Sequence, residues 1–116
     1  MGIYDLDLQE LPLFEGLKAD EVEQFIQATG AKVKRYGKEV RILKAYETNS
    51  RIGIIVEGEA LVLAEDRFGN ETIGHRLERG ALFGSTTAIL PGYASPTAIE
   101  AVSDVLVLWV PYTALL

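Results

Sequence analysis

Residues 56–84 read VEGEALVLAEDRFGNETIGHRLERGALFG. The apolar run Ile52–Val56 ends in Glu57-Gly58, and a second run, Ala60–Ala64, follows at once. Asp66-Arg67-Phe68-Gly69-Asn70 has turn composition, and Thr72–Leu77 then alternates up to Glu78-Arg79-Gly80. Short β runs punctuated by glycine are hairpin strands. Upstream, Ala31–Tyr36 alternates, and Val40–Ala45 follows Gly37-Lys38; downstream, Val105–Val110 is the last run. Seven or eight strands at about ten-residue spacing predict an antiparallel barrel, roll or sandwich.

The interruption is Leu82–Leu90, which starts like a strand and then turns. Residues 85–90 fit either a single helical turn stopped by Pro91-Gly92 or a plain corner between strands. A short helix there would turn free backbone N–H groups into the fold, an arrangement suited to binding. Before the strands, Leu11-Pro12-Leu13-Phe14 is an apolar turn, and 20–29 has Val22, Phe25 and Ile26 at helical spacing. Asp20 and Glu21 suit the positive end of that helix, and Gly30 is its expected stop. At the far end, Pro111-Tyr112-Thr113-Ala114-Leu115-Leu116 is expected to open a helix that breaks off after its first turn. The chain thus reads as a fragment of something longer.

At 116 residues, 48% hydrophobic and 24% charged, the chain is a single globular domain with a core of its own. It has no cysteine, which excludes disulfides, iron–sulfur clusters and thiolate zinc sites. Its one histidine cannot build a multi-histidine metal site or a metal cupin centre. No catalytic Ser-His-Asp or Cys-His pairing is suggested, and Glu57 and Glu59 read as solvated charge around a turn. No apolar run approaches the ~20 residues of a membrane span, and the N-terminus lacks signal-peptide and myristoylation features. A cytoplasmic, non-enzymatic protein with no membrane contact is expected. With a net charge of −6 and no basic cluster, this segment is not expected to grip DNA.

Three stretches together resemble the cyclic-nucleotide-binding-type sensor domain of the Crp/Fnr family of bacterial transcription regulators. LPLFEGLKADEVEQF (11–25) is similar to the family's helical lead-in. The 56–84 block matches its central strands, with Gly58, Gly69, Gly80 and Gly84 at the family's spacing. SPTAIEAVSDVLVLWVPYTALL (95–116) is similar to its last two strands and the start of its long helix. The resemblance implies a mainly β fold, a cupin-like double-stranded β-helix or jelly-roll-like β-roll with short N-terminal helices and the start of a C-terminal helix. Residues 1–116 would be one effector domain. The full-length protein would be a homodimer that reaches DNA only through a helix-turn-helix domain outside this chain.

The resemblance also locates a phosphate cassette, normally Phe-Gly-Glu, a short helix, a loop and Arg-Ser/Thr-Ala. The glutamate takes the ribose hydroxyl and the arginine takes the cyclic phosphate. Here Phe83-Gly84 is followed by Ser85, and the arginine position falls on Ser95. No Lys or Arg follows Arg79. A buried phosphate without its cation is strongly disfavoured, and backbone amides offset only part of that. The expected ligand is therefore a small effector other than cAMP. Haem fits no better, with only His75 and Met1 as possible axial ligands.

By the same resemblance Val62, His75 and Leu77 line the pocket. Strand alternation puts Ile73, His75 and Leu77 on one apolar face, so His75 is expected to point inward, as a core histidine or a ligand contact. Phe83, Gly84, Ser85, Thr86, Thr87, Ser95 and Thr97 complete the candidate set, an uncharged, hydroxyl-lined cavity. Trp109, Tyr112, Leu115 and Leu116 are expected to lie exposed and to form a dimer contact.

Overall fold

The computed structural model describes residues 11, 14–47, 49–84, 96–111 and 113. One helix, α1 (Ala19–Thr29), precedes eight strands: β1 (Lys32–Tyr36), β2 (Arg41–Leu43), β3 (Arg51–Glu57), β4 (Ala60–Glu65), β5 (Glu71–Leu77), β6 (Leu82–Phe83), β7 (Thr97–Ala101) and β8 (Val105–Pro111). They form two four-stranded antiparallel sheets, ordered β1-β8-β3-β6 and β2-β7-β4-β5. The chain crosses repeatedly between the sheets, which is the mainly β roll expected from the strand spacing.

α1 begins where the Glu21 carboxylate accepts the Lys18 N–H, 3.1 Å away. It ends where Gly30, at φ 73°, donates its N–H to the Ile26 carbonyl; glycine reaches this left-handed cap without a Cβ penalty. Val22 and Ile26 are its buried residues. With Leu11 and Phe14 they cover Ile54, Val56, Leu108 and Val110, on the outer face of the first sheet. Each such aliphatic side chain contributes about 1.5–3 kcal/mol by leaving water.

The inner face of the same sheet carries Ile55, Phe83, Val107 and Trp109. They meet Leu43, Ala60, Leu77, Ile99 and Ala101 from the second sheet. The first sheet is therefore covered on both faces, which is why 105–110 is a continuous apolar run rather than an alternating one. The outer face of the second sheet has a buried part, Leu63 opposite Ala98, and a charged part, where Arg41 bonds Glu100 at 2.9 Å and clamps Glu71 through both carboxylate oxygens at 2.7 and 2.9 Å.

Two local expectations need correction. β5 carries a bulge: Leu61 faces Arg76 but Leu63 faces Ile73, so Gly74 and His75 together occupy the space opposite Val62. An inserted residue reverses the alternation. Leu77 is buried while Ile73 is 66% exposed, and His75 is exposed instead of pointing inward. Trp109 is only 3% exposed. Its indole Nε1–H donates to the Tyr36 hydroxyl at 2.9 Å, and its ring meets Phe83 edge-on at 5.3 Å. It is core, not surface. Pro111 ends β8 opposite Arg51, where a strand end tolerates its missing N–H, and Thr113, two residues on, lies in a 3₁₀ turn as expected of a helical start. The rest of the expected C-terminal turn, at Tyr112 and 114–116, lies outside the described residues.

Candidate functional site

The candidate site starts from a row across the first sheet. Phe83 on β6, Gly53 on β3 and Trp109 on β8 stand opposite one another in register. A Cβ on Gly53 would sit 2.6 and 2.8 Å from two ring-edge carbons of Phe83. Glycine is required there because the phenyl ring lies flat over the strand. The edge-to-face pair with Trp109 fixes that ring, an arrangement that contributes about 0.5–1.5 kcal/mol beyond burial. The aromatic pair forms one inner wall of the roll.

The facing wall comes from the second sheet. Ala60 stands between Leu77 and Ala101, Val62 opposite Ile99, and Ala64 opposite Thr97. Residues paired this way share a face. Ala60, Leu77, Ala101 and Ile99 are buried in the interior cluster, and Val62 packs against it. Buried Ala60 and exposed Ala64 flank Val62 on this face, and Thr97 brings a hydroxyl to its half-buried end. The structure thus brings Val62, Leu77, Phe83 and Thr97 to the interior and leaves His75 on the bulged outer edge. Ser85, Thr86, Thr87 and Ser95 lie outside the described residues.

Gly84 is where the chain leaves this wall towards Ser85. It adopts φ 77°, and a Cβ would meet the Asn49 amide nitrogen at 2.8 Å. That amide donates to the Gly84 carbonyl at 3.3 Å and to the Arg51 carbonyl, while the Asn49 Oδ1 accepts the Arg51 N–H at 3.1 Å. Asn49 therefore ties the start of β3 to the start of the candidate cassette. The sequence offered one signal for it, an Asn two residues before a strand. Arg51 was missed as well: its guanidinium lies over the Trp109 ring at 5.0 Å. Its side chain is exposed, and it comes from β3 rather than from the cassette.

Among the described residues no group of three His, Asp or Glu side chains is arranged to hold a metal ion. No described helix is long and apolar enough to cross a membrane. The titration shifts lie on the outer surface, away from the apolar interior. The hydrogen bonds from Arg41 hold the Glu71 carboxyl below the usual carboxylate range. The Asn70 and Phe68 N–H groups do the same for Asp66 in the β4–β5 turn, and Arg35 does so for Asp104.

This architecture is the cyclic-nucleotide-binding domain fold. No protein-family model matches the chain. Over 105 residues it is 31% identical to a cAMP-dependent protein kinase regulatory subunit of Mycosarcoma maydis, covering 89% of this chain and 19% of that protein. Among solved structures, the Thermus thermophilus catabolite activator protein matches with a TM-score of 0.75 at 21% identity, over 90% of this chain and 47% of that one. The regulatory subunit of a cAMP-independent protein kinase A from Trypanosoma cruzi, bound to guanosine, matches with a TM-score of 0.75 at 20% identity, over 92% and 37%. The sensor domain of the transcriptional regulator DNR from Pseudomonas aeruginosa matches at 0.73 and 15%, over 92% and 70%. The chain spans about a fifth of the fungal relative and under half of the first two structures.

Proposed function

We propose that residues 1–116 form the effector-sensing domain of a Crp/Fnr-type transcription regulator, and that its roll takes a small uncharged or weakly acidic molecule other than cAMP. One observation carries the ligand half of this reading. Ser85 and Ser95 stand where the family resemblance puts the ribose-binding glutamate and the phosphate-binding arginine, and no Lys or Arg follows Arg79. The apolar walls built by Val62, Leu77, Phe83 and Ile99 favour a neutral ligand. The Trypanosoma cruzi neighbour, bound to guanosine, supplies a precedent in this fold for a ligand without a phosphate.

The domain acts by binding, not catalysis, and its ligand would shift the geometry of a homodimer in the full-length regulator. DNA contact would belong to a helix-turn-helix domain beyond these residues. Tyr112, Leu115 and Leu116 stay in the proposed dimer contact; Trp109, being core, leaves it. The transcriptional assignment is favoured by the match to the DNR sensor domain, of which this chain covers 70%. A second reading, a regulatory module of a protein kinase, is favoured by the 31% identity to the fungal regulatory subunit.

Native mass spectrometry of the purified chain, followed by titration with guanosine, tests the ligand. A bound neutral small molecule, or saturable guanosine binding, is expected. Co-purified cAMP would refute the reading. Translating the parent gene past Leu116 separates the two host classes: a helix-turn-helix supports the regulator, and a kinase-inhibitory or second nucleotide-binding segment supports the other.

A further inference from the structure

The whole-chain charge of −6 conceals a sharp segregation. Residues 32–44, AKVKRYGKEVRILK without its leading Ala, hold six of the 11 Lys and Arg residues and one of the 17 Asp and Glu residues. That segment therefore carries +5 and the remainder of the chain −11. The expectation of no basic cluster is corrected here: the cluster exists in the sequence, and in the fold Arg41 is taken up by Glu71 and Glu100 on the second sheet, which leaves Lys32, Lys34, Arg35 and Lys38 along β1 and the following turn.

Its place in the fold gives it meaning. β1 is an outermost strand of its sheet, paired with β8 alone among the described strands. Alternate residues of an edge strand turn their N–H and C=O groups away from the ladder, ready to receive another strand. Lys32, Lys34, Arg35 and Lys38 are all exposed along this edge. Lys34 rests its ammonium 5.1 Å from the Tyr36 ring centre, and Arg35 is bonded to Asp104 at 2.9 Å across an exposed pair. Lysine on an edge strand guards against self-pairing, but one or two suffice for that.

We infer that the β1 edge is a docking site for an acidic, extended segment of a partner protein, which adds to the sheet as a further strand. Charge complementarity selects the acidic partner, and the outward backbone groups select the extended conformation. Length excludes the other polyanions. β1 spans five residues, about 17 Å at the usual rise. A duplex or a bilayer surface is a continuous array of negative charge far longer than this edge, and the remainder of the chain, at net −11, repels it. A short acidic segment meets the cations and stops.

The test uses the full 116-residue chain and a fluorescein-labelled Thr-Glu-Val-Glu-Thr-Glu-Val-Glu peptide, read by anisotropy. Saturable binding is expected, with affinity falling about tenfold or more between 50 and 300 mM salt, as screening shortens the reach of the charges. Lys32→Glu/Lys34→Glu/Lys38→Glu should abolish binding, while Lys32→Arg/Lys34→Arg/Lys38→Arg should keep it. These exposed positions leave the melting temperature unchanged, which confirms that the loss is not unfolding. Substituting N-methylated residues at alternate peptide positions should weaken binding at least tenfold by removing the strand hydrogen bonds. The inference is overturned if the charge-reversed variant binds equally well. It is also overturned if a 20-base-pair duplex or phosphatidylserine vesicles bind more tightly than the peptide, or if sedimentation shows the ribbon occupied by a second copy of the chain.

Discussion

Replacing Gly53 with alanine places a methyl group inside the Phe83 ring, 2.6 and 2.8 Å from two of its edge carbons. The ring cannot slide far, because Trp109 holds its other side at 5.3 Å, and both side chains are in the interior cluster. Overpacking of this kind costs about 1–3 kcal/mol, whereas exchanging Gly for Ala in a strand returns about 0.5–1 kcal/mol through the unfolded state. The net loss is about 1–2 kcal/mol, which for a domain of this size lowers the melting temperature by about 3–8 °C. Trp109 is the single tryptophan of the chain, so its emission reports the disturbance directly. Urea unfolding followed by that emission is the assay. In a Phe83→Leu background the same Gly53→Ala change should cost at least about 1 kcal/mol less, a coupling that distant sites do not show. A neutral Gly53→Ala, or strict additivity with Phe83→Leu, would refute the account of the aromatic wall.

Gly58→Ala should cost at least about 2 kcal/mol, since it adds a clash with the Asp104 carbonyl to the strain of φ 89°. Gly69→Ala, at φ 83° with open space around it, should cost only about 1 kcal/mol; equal losses in urea melts would show that conformation alone matters. Asn49→Ala should raise hydrogen exchange at the Arg51 amide, whose N–H the Asn49 Oδ1 accepts, without changing that of α1, and uniform exchange would remove Asn49 from its bridging role. The Glu71 carboxyl, held low by Arg41, contributes stability above its unfolded value of about 4 that disappears as pH falls through the lower folded value. Urea midpoints from pH 6 down to pH 3 should therefore fall less steeply in Glu71→Gln than in the parent; identical slopes would show that the Arg41 clamp adds nothing.

The strand order was legible wherever glycine marked a turn. Gly58, Gly69 and Gly80 all sit at positive φ in the connections they were expected to make, and Gly30 stops the helix that Val22 and Ile26 define. Faces were less legible than elements. Ile73 and Leu77 looked like one face because alternation was assumed to run unbroken, and the bulge at Gly74-His75 reversed it. An extra residue in a strand leaves no compositional mark except the glycine itself. Pro111 both ends β8 and precedes the 3₁₀ turn at Thr113, because proline suits a strand end as well as a helix start. Trp109 was read as exposed because what covers a large aromatic comes from distant residues, here Tyr36 and Phe83. The basic ribbon escaped because net charge averages over the very asymmetry that matters. For the candidate site, the sequence supplied Val62, Leu77, Phe83 and Thr97, while Asn49 and Arg51 became visible only once β3 and β6 were paired.

The central claim is that this roll has lost the anion-handling pair of the cyclic-nucleotide-binding fold. Isothermal calorimetry of the chain with cAMP measures it most directly. The account predicts binding no tighter than about millimolar, or ~4 kcal/mol of binding free energy, with no gain from lowering the salt. A micromolar dissociation constant would contradict it, and its loss in Arg51→Ala would show that the guanidinium over Trp109 had taken over the phosphate.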